Sequence, residues 1–80
     1  MIIKGTVYFK EANIGSKSQA EYPYLRLENG ESMRITMLGD NPFENTTLRE
    51  YEFKTVILEG EMNENGKFIA ERVEESFTEG

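Results

Sequence analysis

Lys4, Tyr8 and Lys10, then Tyr22, Tyr24 and Arg26, then Arg34, fall on even-numbered positions in the first half of an 80-residue chain. In an extended strand, residues two apart share a face, so each group offers its aromatic and cationic members to one side. Two kinds of chemistry suit that mixture. Aromatic faces stack nucleic-acid bases, at roughly 1–3 kcal/mol each, while Lys and Arg offset phosphate charge. Tyr and Arg are also the residues most enriched as anchors at protein interfaces. A sugar is a further possible ligand of an aromatic platform. Tyr–Arg neighbours also brace a sheet by about 0.2–1 kcal/mol with no ligand at all.

Other reactive constellations are thin. Cys and His are both absent, which excludes disulfides, thiolate and imidazole metal sites, Ser-His and Cys-His nucleophile pairs and a histidine pH switch. Glu59 and Glu61 share a strand face with Glu71 nearby, but nothing in the pattern encloses them in a pocket that would tune them for acid–base work. Asp40, Asn41, Glu44 and Asn45 lack the spacing of a calcium loop and read as a turn followed by a helix cap. The expectation is a non-enzymatic chain with no cofactor and no metal.

Charge supports a binding role and limits it. Residues 1–40 are neutral, and residues 41–80 carry the whole net charge of −6. That field repels polyanions, yet it leaves room for a locally basic face on the first half. No apolar run approaches a membrane span and no signal-type h-region opens the chain, so a cytoplasmic location without membrane association is expected.

The elements that position these residues follow from period-2 patterning. Ile2 to Phe9 reads as a strand with Gly5 as a bend or bulge, and residues 11–20 as a long polar loop pinned by Ile14. Tyr22–Glu28 and Glu31–Leu38 flank Asn29-Gly30, the signal for a two-residue type I′ hairpin whose central residues both take positive φ. Leu25, Leu27, Met33, Ile35 and Met37 then share the inner face, and Tyr22, Tyr24, Arg26, Arg34 and Thr36 the outer one.

Gly39-Asp40-Asn41-Pro42 closes the third strand, and Asn45 or Thr46 caps a short helix over about Thr47–Phe53. Leu48 and Tyr51, or Phe43 and Phe53, would plug an open end of the core. Lys54–Met62 and Lys67–Glu74 form the last hairpin around a four-residue loop, Asn63–Gly66. Phe68, Ala70 and Val73 share a face there only if a bulge intervenes. Residues 1–76 make one domain, and residues 77–80 a frayed tail.

Five strands with a helix between the third and fourth predict an all-β Greek-key barrel. The stretch from Val56-Ile57-Leu58-Glu59-Gly60-Glu61 through Gly66-Lys67-Phe68-Ile69-Ala70, followed by Val73, resembles the last hairpin of small bacterial oligonucleotide/oligosaccharide-binding (OB) fold domains. Gly5-Thr6-Val7-Tyr8-Phe9 is similar to the opening strand of cold-shock domains, but Asn13-Ile14-Gly15-Ser16-Lys17 stands where those carry a Gly-Phe-Gly-Phe run. An SH3-like barrel accommodates the helix less naturally. The resemblance implies a binding surface on strands 1–3, between residues 11–21 and the loop 63–66. The leading expectation is protein–protein interaction or assembly, including self-association through Tyr22, Tyr24, Leu38 and Ile57. The alternative is single-stranded nucleic-acid binding on the face of Lys4, Tyr8, Lys10, Tyr22, Tyr24, Arg26 and Arg34.

Overall fold

A computed structural model describes residues 1–12, 15, 17, 20–40 and 45–76. Its elements are β1 (Ile2–Ala12), β2 (Ala20–Arg26), β3 (Ser32–Met37), α1 (Thr46–Arg49), β4 (Thr55–Met62) and β5 (Phe68–Glu75). The chain is therefore mostly β, with one short helix between the third and fourth strands. Hydrogen bonding runs β1-β2-β3-β5-β4 and returns from β4 to β1, so every strand has two neighbours and the sheet closes into a ring. All pairings are antiparallel except β3 with β5. Among the described residues, no helix is long and apolar enough to cross a membrane.

Alternation selects the interior. Val7, Leu25, Ile35, Val56, Leu58, Phe68 and Ala70 point inward from the five strands and form one buried cluster with Leu48 of α1. Two glycines let the ring close. Strand β1 pairs with β4 over Ile2–Thr6 and with β2 over Thr6–Ala12, and Gly5 sits at the changeover. A Cβ on Gly5 would overlap the Arg26 carbonyl oxygen, so the residue needed there is one without a side chain. A Cβ on Gly60 would likewise overlap the Ile69 carbonyl oxygen. Gly60 lies at a bulge, where Glu59 pairs with Arg72 and Gly60 with Ala70, leaving Glu71 as the extra residue. That bulge returns Val73 to the interior, as the alternation of β5 requires.

Both hairpins turn on Glu-Asn-Gly, at 28–30 and 64–66, and both adopt one geometry. The Gly30 N–H donates to the Leu27 carbonyl, and the Leu27 N–H donates to the Glu31 carbonyl. The Gly66 N–H donates to the Asn63 carbonyl, and the Asn63 N–H donates to the Lys67 carbonyl. Gly30 (φ 90°) and Gly66 (φ 80°) are left-handed, but Asn29 is not. The expected two-residue type I′ turn and the expected four-residue loop are thus corrected to a pair of three-residue loops. In each, a left-handed glycine closes the turn.

Further corrections concern the loops and the helix. Strand β1 extends to Ala12, which pairs with Ala20, so the first loop is shorter than residues 11–20. The expectation for Ile14 lies outside the described residues. Helix α1 ends at Arg49 rather than Phe53, and its first turn is capped by Asp40, whose carboxylate accepts from the Thr47 N–H at 3.1 Å. Asn45 is buried and left-handed at the N-cap position, but its side chain makes no cap bond. Asn41, Phe43 and Glu44 lie outside the described residues.

Leu48 and Tyr51 do pack against the core. Phe53 does not, being 77% exposed. Its N–H donates to the Val7 carbonyl, the Val7 N–H donates to the Lys54 carbonyl, and its φ is 64°. This is the bulge geometry that ordinarily takes glycine, and the position turns the chain from the helix into β4. Ser76 is tied to β4 by its N–H to the Thr55 carbonyl, so the ordered chain reaches it. Residues 77–80 lie outside the described residues.

Candidate functional site

On the outer face of β1 and β2, Tyr8 pairs with Tyr24, Thr6 with Arg26 and Lys10 with Tyr22. Sheet twist turns these pairs into diagonals. The Tyr8 and Tyr24 rings stack with centroids 5.6 Å apart and planes 21° from parallel. The Arg26 guanidinium lies 5.8 Å from the centre of the Tyr8 ring, and the Lys10 ammonium 6.0 Å from that of Tyr24. Arg26, Tyr8, Tyr24 and Lys10 therefore form one contiguous stack of two rings with a cation near each, across two strands. Each cation–π contact contributes about 0.5–1 kcal/mol at an exposed site, and the ring pair a similar amount. The stack is therefore ordered without a ligand.

A second unit lies beside it. Tyr24 pairs with Arg34 of β3, whose guanidinium sits 3.9 Å from the centre of the Tyr22 ring. Tyr22 is only 5% exposed, which corrects the expectation that it stands in water. It keeps its outward parity but is roofed by Arg34, so it supports the face from below instead of offering its own ring. Tyr8, Tyr24 and Arg34 are half-buried, while Lys4, Lys10 and Arg26 are exposed. Among the described residues Lys4 makes no ring contact and meets the first unit only at Arg26, with which it shares an open groove of about 220 Å³ together with Thr6, Glu28 and Thr55.

One cation of this face was missed. The parallel register pairs Ile35 with Phe68, which sets Lys67 beside Arg34, one step earlier and on the outer side. Burial first, and the positive charge of Arg34 second, hold the Lys67 ammonium below its ordinary pKa. The signal for Lys67 was its odd spacing from the inward Phe68, readable only once β3 and β5 are known to be neighbours.

The residues expected to support self-association are not brought together. Tyr22 and Tyr24 belong to the face just described. Leu38 lines an open groove of about 330 Å³ with Met62, Ile69, Glu61, Glu71 and Asn63. Ile57 lines another with Ile2, Glu59, Arg72 and Glu74. The outer side of β4 and β5 is thus apolar and Glu-rich where that of β1–β3 is aromatic and cationic. Ion pairing also differs around the ring. Arg49 bridges Glu21 at 3.7 Å and Glu52 at 3.4 Å while its guanidinium covers Phe9, closing the helix end of the core. Lys54 meets Glu75 at 3.4 Å. Among the described residues, Lys10, Arg26, Arg34 and Lys67 have no carboxylate within ion-pair distance. No known protein family, curated protein or solved structure matches the chain.

Proposed function

We propose that this ring is an OB-type barrel serving as a non-enzymatic binding module, and that it engages a protein partner through the outer face of β1, β2 and β3. The strand order, the parallel β3–β5 pairing and the helix before β4 support the OB reading. The Tyr8–Tyr24 stack and its two cations carry the functional reading. A base stacks on a free ring face, but each ring here is already stacked with the other tyrosine and has a cation within about 6 Å of its centre. A nucleobase would compete with these contacts and gain only the difference between them. What the stack offers a partner is a rigid edge of phenol, guanidinium and ammonium groups, the amphipathic surface that anchors protein interfaces.

Single-stranded nucleic acid is the second reading. It is favoured by one observation, the absence of neutralising carboxylates beside Lys10, Arg26, Arg34 and Lys67 among the described residues. Two measurements separate the readings. In affinity capture from cells that express the protein, partner proteins are expected to survive nuclease treatment and to be lost with Tyr24→Ala or Arg26→Glu, both variants remaining folded. Capture abolished by nuclease, with labelled oligonucleotide binding that weakens steeply with salt, moves the function to nucleic acid.

A further inference from the structure

We propose that Arg34 and Lys67 together form an oxyanion seat that receives a side-chain carboxylate of the partner protein. The inference rests on the reading of the β1–β3 face as a protein-binding surface, and it names the chemistry the partner brings.

The seat is built from three strands. Arg34 lies over the ring of Tyr22, which is itself almost fully buried, at 3.9 Å. A guanidinium this close to a ring centre still keeps its in-plane N–H donors for an acceptor, and among the described residues no carboxylate takes them. Lys67 is fixed next to it through its backbone. Its N–H donates to the Asn63 side chain at 2.9 Å, and its carbonyl accepts from the Asn63 N–H at 2.8 Å. Both residues have outward parity at the start of the parallel β3–β5 pairing. Two partly desolvated cations therefore stand side by side, and burial first and Arg34 second lower the Lys67 pKa.

Among the described residues nothing relieves this repulsion. The sequence holds fifteen Asp and Glu. Among the described residues none comes within ion-pair distance of Arg34 or Lys67, and neither side chain makes a hydrogen bond. In an acidic protein a carboxylate at this point would be the easiest compensation to find, and its place is left to a ligand. A carboxylate fits the fork of Arg34 in bidentate fashion and takes a third contact from the Lys67 ammonium. One carboxylate is compensated by these two cations, whereas the successive phosphates of a nucleic-acid chain continue past them into the field of a protein carrying −6. An acidic side chain on a protein is the occupant with the shorter reach.

The test uses the full isotope-labelled chain and two probes, a short blocked oligoglutamate and an oligothymidylate of matched charge, followed by amide chemical shifts. Oligoglutamate is expected to perturb Tyr22, Arg34 and Lys67. Arg34→Gln and Lys67→Gln are each expected to weaken it about tenfold, and Lys67→Arg to preserve it. Arg72→Gln, which removes the same charge further along β5, where Arg72 lies beside Ile57 and Glu59, is expected to change affinity by less than about twofold. The proposal is overturned if Arg34→Gln and Lys67→Gln behave like Arg72→Gln, or if oligothymidylate binds more tightly than oligoglutamate. Shifts confined to Tyr8, Tyr24 and Arg26 remove the seat but keep the face. Absence of any perturbation on β1–β3 removes both.

Discussion

The hairpins β2–β3 and β4–β5 turn on the same tripeptide, use the same loop geometry and line the same core, yet they present opposite chemistry outside. Inward, Leu25 and Ile35 of one meet Leu58, Phe68 and Ala70 of the other. Outward, the first shows Tyr24, Arg26 and Arg34, and the second shows Ile57, Glu59, Glu61 and Glu71. The shared parts answer to the fold, because register and closure depend on them. The parts that differ contribute little to closure, so they are the positions at which a binding function can be written. Lys67 belongs to both sets, since its backbone completes a loop while its side chain crosses to the face of the other hairpin.

The comparison can be broken most severely from the inside. Phe68→Ala and Leu25→Ala should each remove about 2–5 kcal/mol in urea titration, with one cooperative transition seen by every probe. Separate transitions for the two hairpins would show that they do not share a core. At the loops, Gly30→Ala and Gly66→Ala should each cost about 1 kcal/mol, by the same amount, since the same left-handed position is lost. A clear inequality would mean that the two loops are not equivalent. Phe53→Gly should raise thermal stability by an amount on the order of 1 kcal/mol, because it relieves a left-handed aromatic that packs against little. Outside, Tyr24→Ala should lose about 0.5–1.5 kcal/mol through the ring pair, whereas Glu61→Gln should stay within about 0.5 kcal/mol.

The smallest effect is a pH dependence. The folded pKa of Lys67 lies below the ordinary value of 10.5, so above neutrality the unfolded chain holds the proton longer than the folded one does. Stability should therefore rise with pH between the lowered folded value and 10.5, and be flat in this group's contribution below that window. The difference between wild type and Lys67→Gln in alkaline melting curves isolates it. A wild type that loses stability relative to the variant across that window would reverse the sign.

Much of this architecture was legible because alternation is a local signal. Leu25 with Met33 and Ile35, and Val56 with Leu58, declare their face within a few residues, and the odd spacing of Val73 announced a bulge before any partner strand was known. Loop geometry was less legible, since Asn29-Gly30 satisfies a two-residue turn as well as the three-residue one that Glu28 completes. The site was half legible. Parity placed Tyr8, Tyr24, Arg26 and Lys10 outside correctly, but parity reports direction and says nothing of cover, so the roof that Arg34 puts over Tyr22 was invisible. Lys67 was hidden for a related reason, because its neighbour Arg34 lies in a strand that runs parallel from far away in sequence.

Ring closure also sets an order of events at the ribosome. When β1, β2 and β3 have emerged, the free edge of β1 awaits β4 and the free edge of β3 awaits β5, and both partners are still to be translated. The nascent meander therefore exposes two unpaired strand edges and the inner faces of Val7, Leu25 and Ile35 to the crowded exit region. A chain stopped before β5 keeps those edges open, so premature termination anywhere ahead of Phe68 yields a sticky fragment instead of a smaller domain.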